Sequence, residues 1–206
     1  MSLVPDTVPA DWVTRWQRIA RRIRVPLGFL TAALYLFELW RRAPRPAAVA
    51  WSLVLVLPGL WLRAYASGYV KKNQELTTSG PYAHTRNPLY LGSILMAAGF
   101  ALALMSWAFA LVLALGFVII YVPVIASEER FLRTTFPGFD EYCRQVPRLL
   151  PRLTAARHSQ HDGGGRFSLD LYLKHREYNA LLGVILLYLS LAFLRWAIAL
   201  ILHGRP

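Results

Sequence analysis

Between Arg86 and Glu128 lie 41 consecutive residues without a single Asp, Glu, Lys or Arg. As one helix this run would extend about 60 Å, roughly twice the hydrocarbon core of a bilayer. It therefore predicts two apolar helices back to back, turning near Met105-Ser106, and it excludes a soluble globular domain or a disordered chain. The rest of the chain agrees: 56% of its 206 residues are apolar and 17% charged, and the mean hydropathy is +0.37. Ordinary soluble proteins carry about 25% charged residues. The net charge of +12 suggests nucleic acid at first sight. In so apolar a chain it instead implies cytoplasmic loops and lipid headgroups, so no nucleic-acid partner is expected. The single cysteine, Cys143, excludes an internal disulfide framework.

The fold class expected is an all-α integral membrane protein with about five transmembrane helices and a cytoplasmic cofactor-binding C-terminal region. The spans predicted are 25–40, 47–65 with a kink at Pro58-Gly59, 88–104, 107–127 and 178–202. Residues 1–24 are polar and basic, unlike a cleavable signal peptide. Trp12, Trp16, Ile19 and Ile23 recur at helical spacing, with Arg15, Arg18 and Arg22 on the other side. That pattern reads as a basic interfacial amphipathic helix or, more simply, as a positive flank that sets topology. The division expected is thus 1–24 as the interfacial helix and 25–206 as the membrane domain, with a core motif region at 70–152. Lys and Arg cluster before the first span and in 69–86 and 128–177, which puts the N-terminus and both segments in the cytoplasm. Arg41, Arg42 and Arg45 oppose that assignment but are outnumbered. Localisation is expected in a cell inner membrane or the endoplasmic reticulum, with the site on the cytoplasmic face. His158 and His161 lie in a glycine-containing linker over 154–166, without Cys or carboxylate support, so no metal is expected. Arg195, near the end of the last span, is read as snorkelling to the interface.

Two stretches could carry chemistry. In 79–92, Gly80-Pro81 marks a turn, Asn87 suits a helix N-cap and Pro88 a first helical position. The free N–H groups of that helix end, with Arg86 beside them, would make an anion site at the membrane surface, with Tyr82 and Tyr90 as aromatic faces. The plainer alternative is a helix start with a snorkelling arginine. In the second stretch, Glu128 and Glu129 end an apolar helix, where carboxylates are costly unless paired or hydrated. Neighbouring residues on a helix point about 100° apart, so one glutamate can face the bundle and the other water. Across from Arg86 they would form a bipolar site for a zwitterionic ligand carrying an aromatic ring. The alternative is a helix end whose acids pair with Arg130 or Arg133.

The run G-P-Y-x-x-x-R-N-P-x-Y-x-G at 80–92, then E-E-x-x-L-x-x-x-F from Glu128, then Y-x-x-x-V-P-R-L-L-P ending at Pro151, resembles the isoprenylcysteine carboxyl methyltransferase family. That family belongs to a wider group with the phospholipid N-methyltransferases and, more distantly, the membrane sterol reductases. The resemblance covers about residues 70–152. It implies S-adenosyl-L-methionine as methyl donor, held on the cytoplasmic side, and a membrane lipid or prenylated acceptor entering from the bilayer. Carried over residue by residue, it implies cofactor-binding roles for Gln74, Leu76, Thr77, Tyr82, His84, Arg86, Asn87, Pro88, Leu89, Tyr90, Glu128, Glu129 and Arg148, with Arg86 and Glu128 nearest the chemistry. The family's usual histidine is Asn87 here, which removes any titrating role at that position. The arginine that eukaryotic isoprenylcysteine enzymes carry one turn before the glutamate pair is Val124 here. The resemblance thus implies a methyltransferase acting on a membrane-embedded lipid or isoprenylcysteine-like acceptor. A membrane reductase using NADPH and a non-catalytic lipid-binding protein are the alternatives.

Overall fold

A computed structural model describes residues 10–71, 75–156 and 165–203, and among these every regular element is helical. In chain order they are α1 (Ala10–Arg41), α2 (Pro46–Ser67), a single 3₁₀ turn (Gly80–Ala83), α3 (Pro88–Leu104), α4 (Trp107–Gly116), a π-helical turn (Phe117–Tyr121), α5 (Val122–Thr135), α6 (Phe139–Gln145), α7 (Leu169–Lys174) and α8 (Tyr178–His203). Among the described residues, two helices are long and apolar enough to cross a membrane: α2, and the continuous rod Trp107–Thr135 formed by α4, the π turn and α5. Pro88–Leu104 and Tyr178–Leu194 are apolar but shorter.

The expected hairpin is present. Met105 takes a left-handed conformation (φ 48°) and ends α3, and Ser106 Oγ accepts the Phe109 amide at 3.2 Å to start α4. Two boundaries differ from expectation. The division at residue 24 leaves no break, because α1 runs through Pro26 as one 32-residue helix. The side chains of Trp12, Trp16 and Ile19, on which an interfacial face was expected, lie outside the described residues. The fourth helix does not stop at the glutamate pair. It continues to Thr135, so Glu128 and Glu129 stand in mid-helix.

Glycines set the packing of α2 on α3. A Cβ on Gly59 would meet the Gly92 carbonyl oxygen at 2.7 Å, and one on Gly92 would meet the Gly59 oxygen at 2.6 Å. Two turns further on, a Cβ on Gly99 would come within 2.9 Å of the Ser52 carbonyl oxygen. Small residues let two backbones approach this closely, the device by which helices associate where apolar burial gives no net drive. Gly59 is therefore a point of contact between α2 and α3. Beside it, Tyr35, Leu39, Val56, Phe100, Phe109, Val184 and Leu191 form the core. Hydroxyl bonds from Tyr35 to Ser190 and from Tyr188 to Ser52 (2.6 Å) tie α8 to α1 and α2. Outside, Trp40, Trp51, Trp61, Trp107 and Phe193 are exposed, an apolar surface suited to lipid.

Candidate active site

The site is built where the N-terminus of α3, the middle of α5 and the strand-like segment after α6 converge. Gly80 adopts φ +59°, a conformation open to glycine, and a Cβ there would strike the Tyr69 ring. This turn drops Tyr82 into the interior. Residues 83–86 then run beside 147–156. The Arg86 amide donates to the Pro147 carbonyl (2.9 Å), the Arg152 amide to His84 (3.0 Å) and the Ala156 amide to Ala83 (3.0 Å). Buried Thr85 adds a hydroxyl bond to the Leu149 carbonyl at 3.0 Å. The Val-Pro-Arg-Leu-Leu-Pro run is thus a strap laid along the turn that leads into α3.

Asn87 precedes the helix, but its side chain does not cap it. Its amide nitrogen donates to the Arg148 carbonyl at 2.9 Å, which ties the side chain to the strap. Pro88 is fully buried at the first position of α3. His84 Nδ1 lies 2.9 Å from the Arg152 carbonyl. A carbonyl only accepts, so the ring donates through Nδ1 and keeps Nε2 as its basic nitrogen.

The two glutamates divide as helix geometry requires, and it is Glu129 that faces inward. Its carboxylate accepts from Arg148 Nε at 3.0 Å and from the Arg148 terminal nitrogen, and stands 3.2 Å from Arg86 Nη1. Arg86 Nη1 also donates to Cys143 Sγ at 2.7 Å. The arginine is therefore turned toward α5 and α6, away from the anion site expected at the end of α3. Glu128 is exposed and accepts from the Tyr90 hydroxyl at 3.1 Å. Of the two arginines offered as alternative partners, Arg133 binds Asp140 at 2.7 Å, and Arg130 Nε bonds the Ala126 carbonyl.

The residues implied as cofactor-binding thus gather at one place, with one exception outside the described residues, Gln74. Leu76 packs against Phe139, Tyr142 and Val146. The Thr77 hydroxyl is buried with no hydrogen-bond partner, and so is Arg86 Nε. Tyr82 is buried, and burial pushes its phenol well above the usual range. Glu128, Glu177 and Tyr90 act in the same direction and Arg63 opposes them. The Tyr142 hydroxyl donates to the Tyr82 carbonyl at 2.8 Å, and its own pKa is raised first by burial. The Leu89 carbonyl accepts from Arg63 at 3.3 Å.

Arg63 and Glu177 escaped the sequence reading. Arg63 is the only charged residue in 46–70. It makes a bidentate pair with Glu177 (2.8 and 2.9 Å) and bonds the Leu89 carbonyl and Ser93 hydroxyl, joining α2, α3 and the approach to α8. The missed signal was a lone arginine in an apolar run, which demands a partner. Two shallow apolar grooves lie elsewhere: one spans the start of α2 and the end of α3 near Met105, the other lies between α2 and α8 near Trp196. Among the described residues no three His, Cys, Asp or Glu side chains come together to hold a metal.

Residues 49–138, from α2 to the end of α5, match the family model for phospholipid methyltransferases. That match agrees with the resemblance to the wider group that includes the isoprenylcysteine carboxyl methyltransferases. The strap at 146–152 falls outside the matched segment. Over 98 residues, 48% of the chain, it is 45% identical to the cobalt-zinc-cadmium resistance protein CzcN of Cupriavidus metallidurans, covering 44% of that protein. It is 41% identical, also over 98 residues, to the nickel-cobalt-cadmium resistance protein NccN of Alcaligenes xylosoxydans xylosoxydans, covering 45% of it. The chain thus spans less than half the length of these curated relatives. No solved structure matches it.

Proposed function

We propose that this protein is an S-adenosylmethionine-dependent methyltransferase of the membrane, acting on a lipid or lipid-modified thioether. The observation that carries the reading is the pair of buried polar atoms without partners, Thr77 Oγ1 and Arg86 Nε, on two residues implied as cofactor-binding. A buried orphan donor costs about 1–3 kcal/mol, a cost a polar ligand would relieve. The residues present fit such a ligand. Thr77 and Arg86 would hold its polar groups, Tyr82 and Tyr90 its flat ring, and Glu128 its cationic or hydroxyl side. When bound, S-adenosylmethionine supplies a methyl group on a sulfonium.

The chain's own contribution is to position and to exclude water, since no protein nucleophile is required. Glu129 and Arg148 fix Arg86; the strap fixes the turn before α3; burial keeps Tyr82 neutral. A carboxylate or thiolate acceptor needs no base. An ammonium acceptor does need one, and Glu129 is already committed to two arginines.

The arrangement in the bilayer belongs to the same proposal. α1, α2, α3, the Trp107–Thr135 rod and α8 serve as five spans, with the site at the cytoplasmic face of an inner or endoplasmic reticulum membrane. Lys and Arg density in 69–86 and 128–177 supports that side. The names of the two relatives extend the reading to cells under cobalt, zinc, nickel or cadmium load. A deletion strain growing normally on those salts would remove that extension without touching the chemistry. Calorimetry on the detergent-purified protein tests the reading itself. Binding of S-adenosylhomocysteine supports it, NADPH binding points to a reductase, and binding of neither points to a non-catalytic lipid protein. Mass spectrometry of membranes incubated with methyl-labelled cofactor then identifies the acceptor.

A further inference from the structure

Three arginines stand at the end of the bundle away from the candidate active site. Arg41 ends α1, Arg42 follows it, and Arg45 immediately precedes α2. All three are exposed. Arg41 lies 3.8 Å from Glu38. Glu38 is the single acidic residue in 12–74, and 76–127 and 178–206 contain none. Among the described residues no ion pair reaches Arg42 or Arg45. In the five-span arrangement they also fall on the side where basic loops are disfavoured. Their charge is left for water or for an anion from outside the chain. Pro44 is buried and Pro46 takes the first position of α2, so Arg45 between them is held extended (φ −75°, ψ 131°). The first amides of α2 receive no side-chain cap and bring the positive end of that helix to the same place.

One of the two apolar grooves, of about 470 Å³, begins at Arg45 and runs between the start of α2 and the end of α3. Arg45 lines it together with Ala47, Ala48, Trp51, Leu102 and Met105. Trp40, Trp51 and Trp107 are exposed at this end of the bundle, and such tryptophans mark the level of lipid headgroups. A groove open to lipid gains little from apolar burial alone, because a tail is in apolar surroundings inside it or outside. Retention of one particular lipid must therefore come from its headgroup. A zwitterionic headgroup brings a cation that the arginines repel, whereas an anionic one brings none. We infer that Arg42, Arg45 and this groove bind a single anionic phospholipid, with its phosphate on the two guanidinium groups and the start of α2, and one acyl chain between α2 and α3. The inference rests on the membrane arrangement proposed above and not on the methyltransferase chemistry.

The test is native mass spectrometry of the full-length protein in detergent, titrated with phosphatidylglycerol or with phosphatidylcholine of the same acyl chains, with thermal melts as a folding control. The inference predicts one phosphatidylglycerol retained per protein, at least about fivefold more tightly than phosphatidylcholine, since a single basic side chain at a membrane surface contributes on that scale. Arg42→Gln with Arg45→Gln abolishes the preference. Lys71→Gln with Lys174→Gln, two exposed lysines beyond the other end of α2, removes the same net charge and leaves the preference intact. Ala47→Phe, at an exposed position, keeps both arginines, fills the groove and loses the retained lipid. Equal retention of the two lipids by the wild type, or equal loss in the lysine and arginine pairs, overturns the site. Indifference to Ala47→Phe reduces the binding to general attraction between charges and overturns it too. If the arginine variant does not fold, the wild-type lipid comparison and Ala47→Phe still decide. A protein that stays monodisperse without detergent removes the membrane arrangement, and this inference with it.

Discussion

Arg86 and Glu129, 43 residues apart in sequence, meet at 3.2 Å with both side chains largely buried. Their contact joins the start of α3 to the middle of α5, and Arg148 closes it from the strap side. The inward glutamate is thereby a structural partner, whereas its neighbour Glu128 faces the open side of the site with Tyr90.

The two glutamates should therefore fail differently. Removing one member of a buried ion pair costs about 3–5 kcal/mol, because a charge is left behind without a partner. Glu129→Gln, which keeps the shape and loses the charge, should lower the melting temperature in detergent and weaken cofactor binding along with it. Glu128→Gln should leave the melting temperature unchanged and weaken cofactor binding alone. Equal melting temperatures for both variants would show that Glu129 is not the partner on which Arg86 depends.

The Arg63–Glu177 pair permits a sharper comparison, since both side chains are well under a third exposed. Glu177→Leu alone should destabilise by about 3–5 kcal/mol. Arg63→Met combined with Glu177→Leu should recover most of that loss, because an apolar pair of similar volume leaves no unpaired charge. A double-mutant cycle by thermal denaturation measures the coupling, and purely additive losses would mean the two residues act independently.

The helix contact predicts a contrast among glycines. Gly59→Ala places a methyl group against the Gly92 carbonyl and should cost about 1–3 kcal/mol by overpacking. Gly28→Ala meets nothing within 4 Å and should be neutral or stabilising by up to about 1 kcal/mol in α1. A Gly59→Ala variant of wild-type stability would contradict the close approach of the two backbones.

Tyr82 and Tyr142 are held protonated by burial, with folded pKa values above their ordinary value of 10.0. Above that pH the unfolded chain releases these protons and the folded chain keeps them. Stability is thus fully present below about pH 10 and falls as pH rises beyond it. The tyrosinate absorbance of the folded protein should show at least two phenols fewer than the ten in the sequence titrating before alkaline unfolding. Tyr82→Phe with Tyr142→Phe should flatten the alkaline decline in melting temperature, and an unchanged slope would contradict the assignment.

Much of this arrangement was legible because local patterning and tertiary position agreed. The uncharged run, its turn at Met105-Ser106 and the proline opening α3 depend on short-range rules and were read correctly. Partner choice was not legible. Asn87 looked like a cap because caps are local, but the Arg148 carbonyl, 61 residues away, holds its amide. Arg86 looked free to serve the α3 terminus because nothing near it in sequence showed that Glu129 and Cys143 would take its guanidinium. The π turn carried no proline or glycine within its own five residues and left no periodicity signal, so it emerged only from the structure. Gly59 was read as a kink, the local meaning of Pro-Gly, where its role is close approach to another backbone.

The most direct test of the account is the affinity of the purified protein for S-adenosylhomocysteine, measured by titration calorimetry for wild type and Arg86→Ala. A charge-assisted hydrogen bond contributes about 1.5–3 kcal/mol, so the account predicts one-to-one binding in wild type, weakened about 10- to 150-fold by the substitution, together with a lower melting temperature because Glu129 loses a buried partner. Absence of binding by the wild-type protein, or equal affinity in a well-folded Arg86→Ala variant, would contradict it.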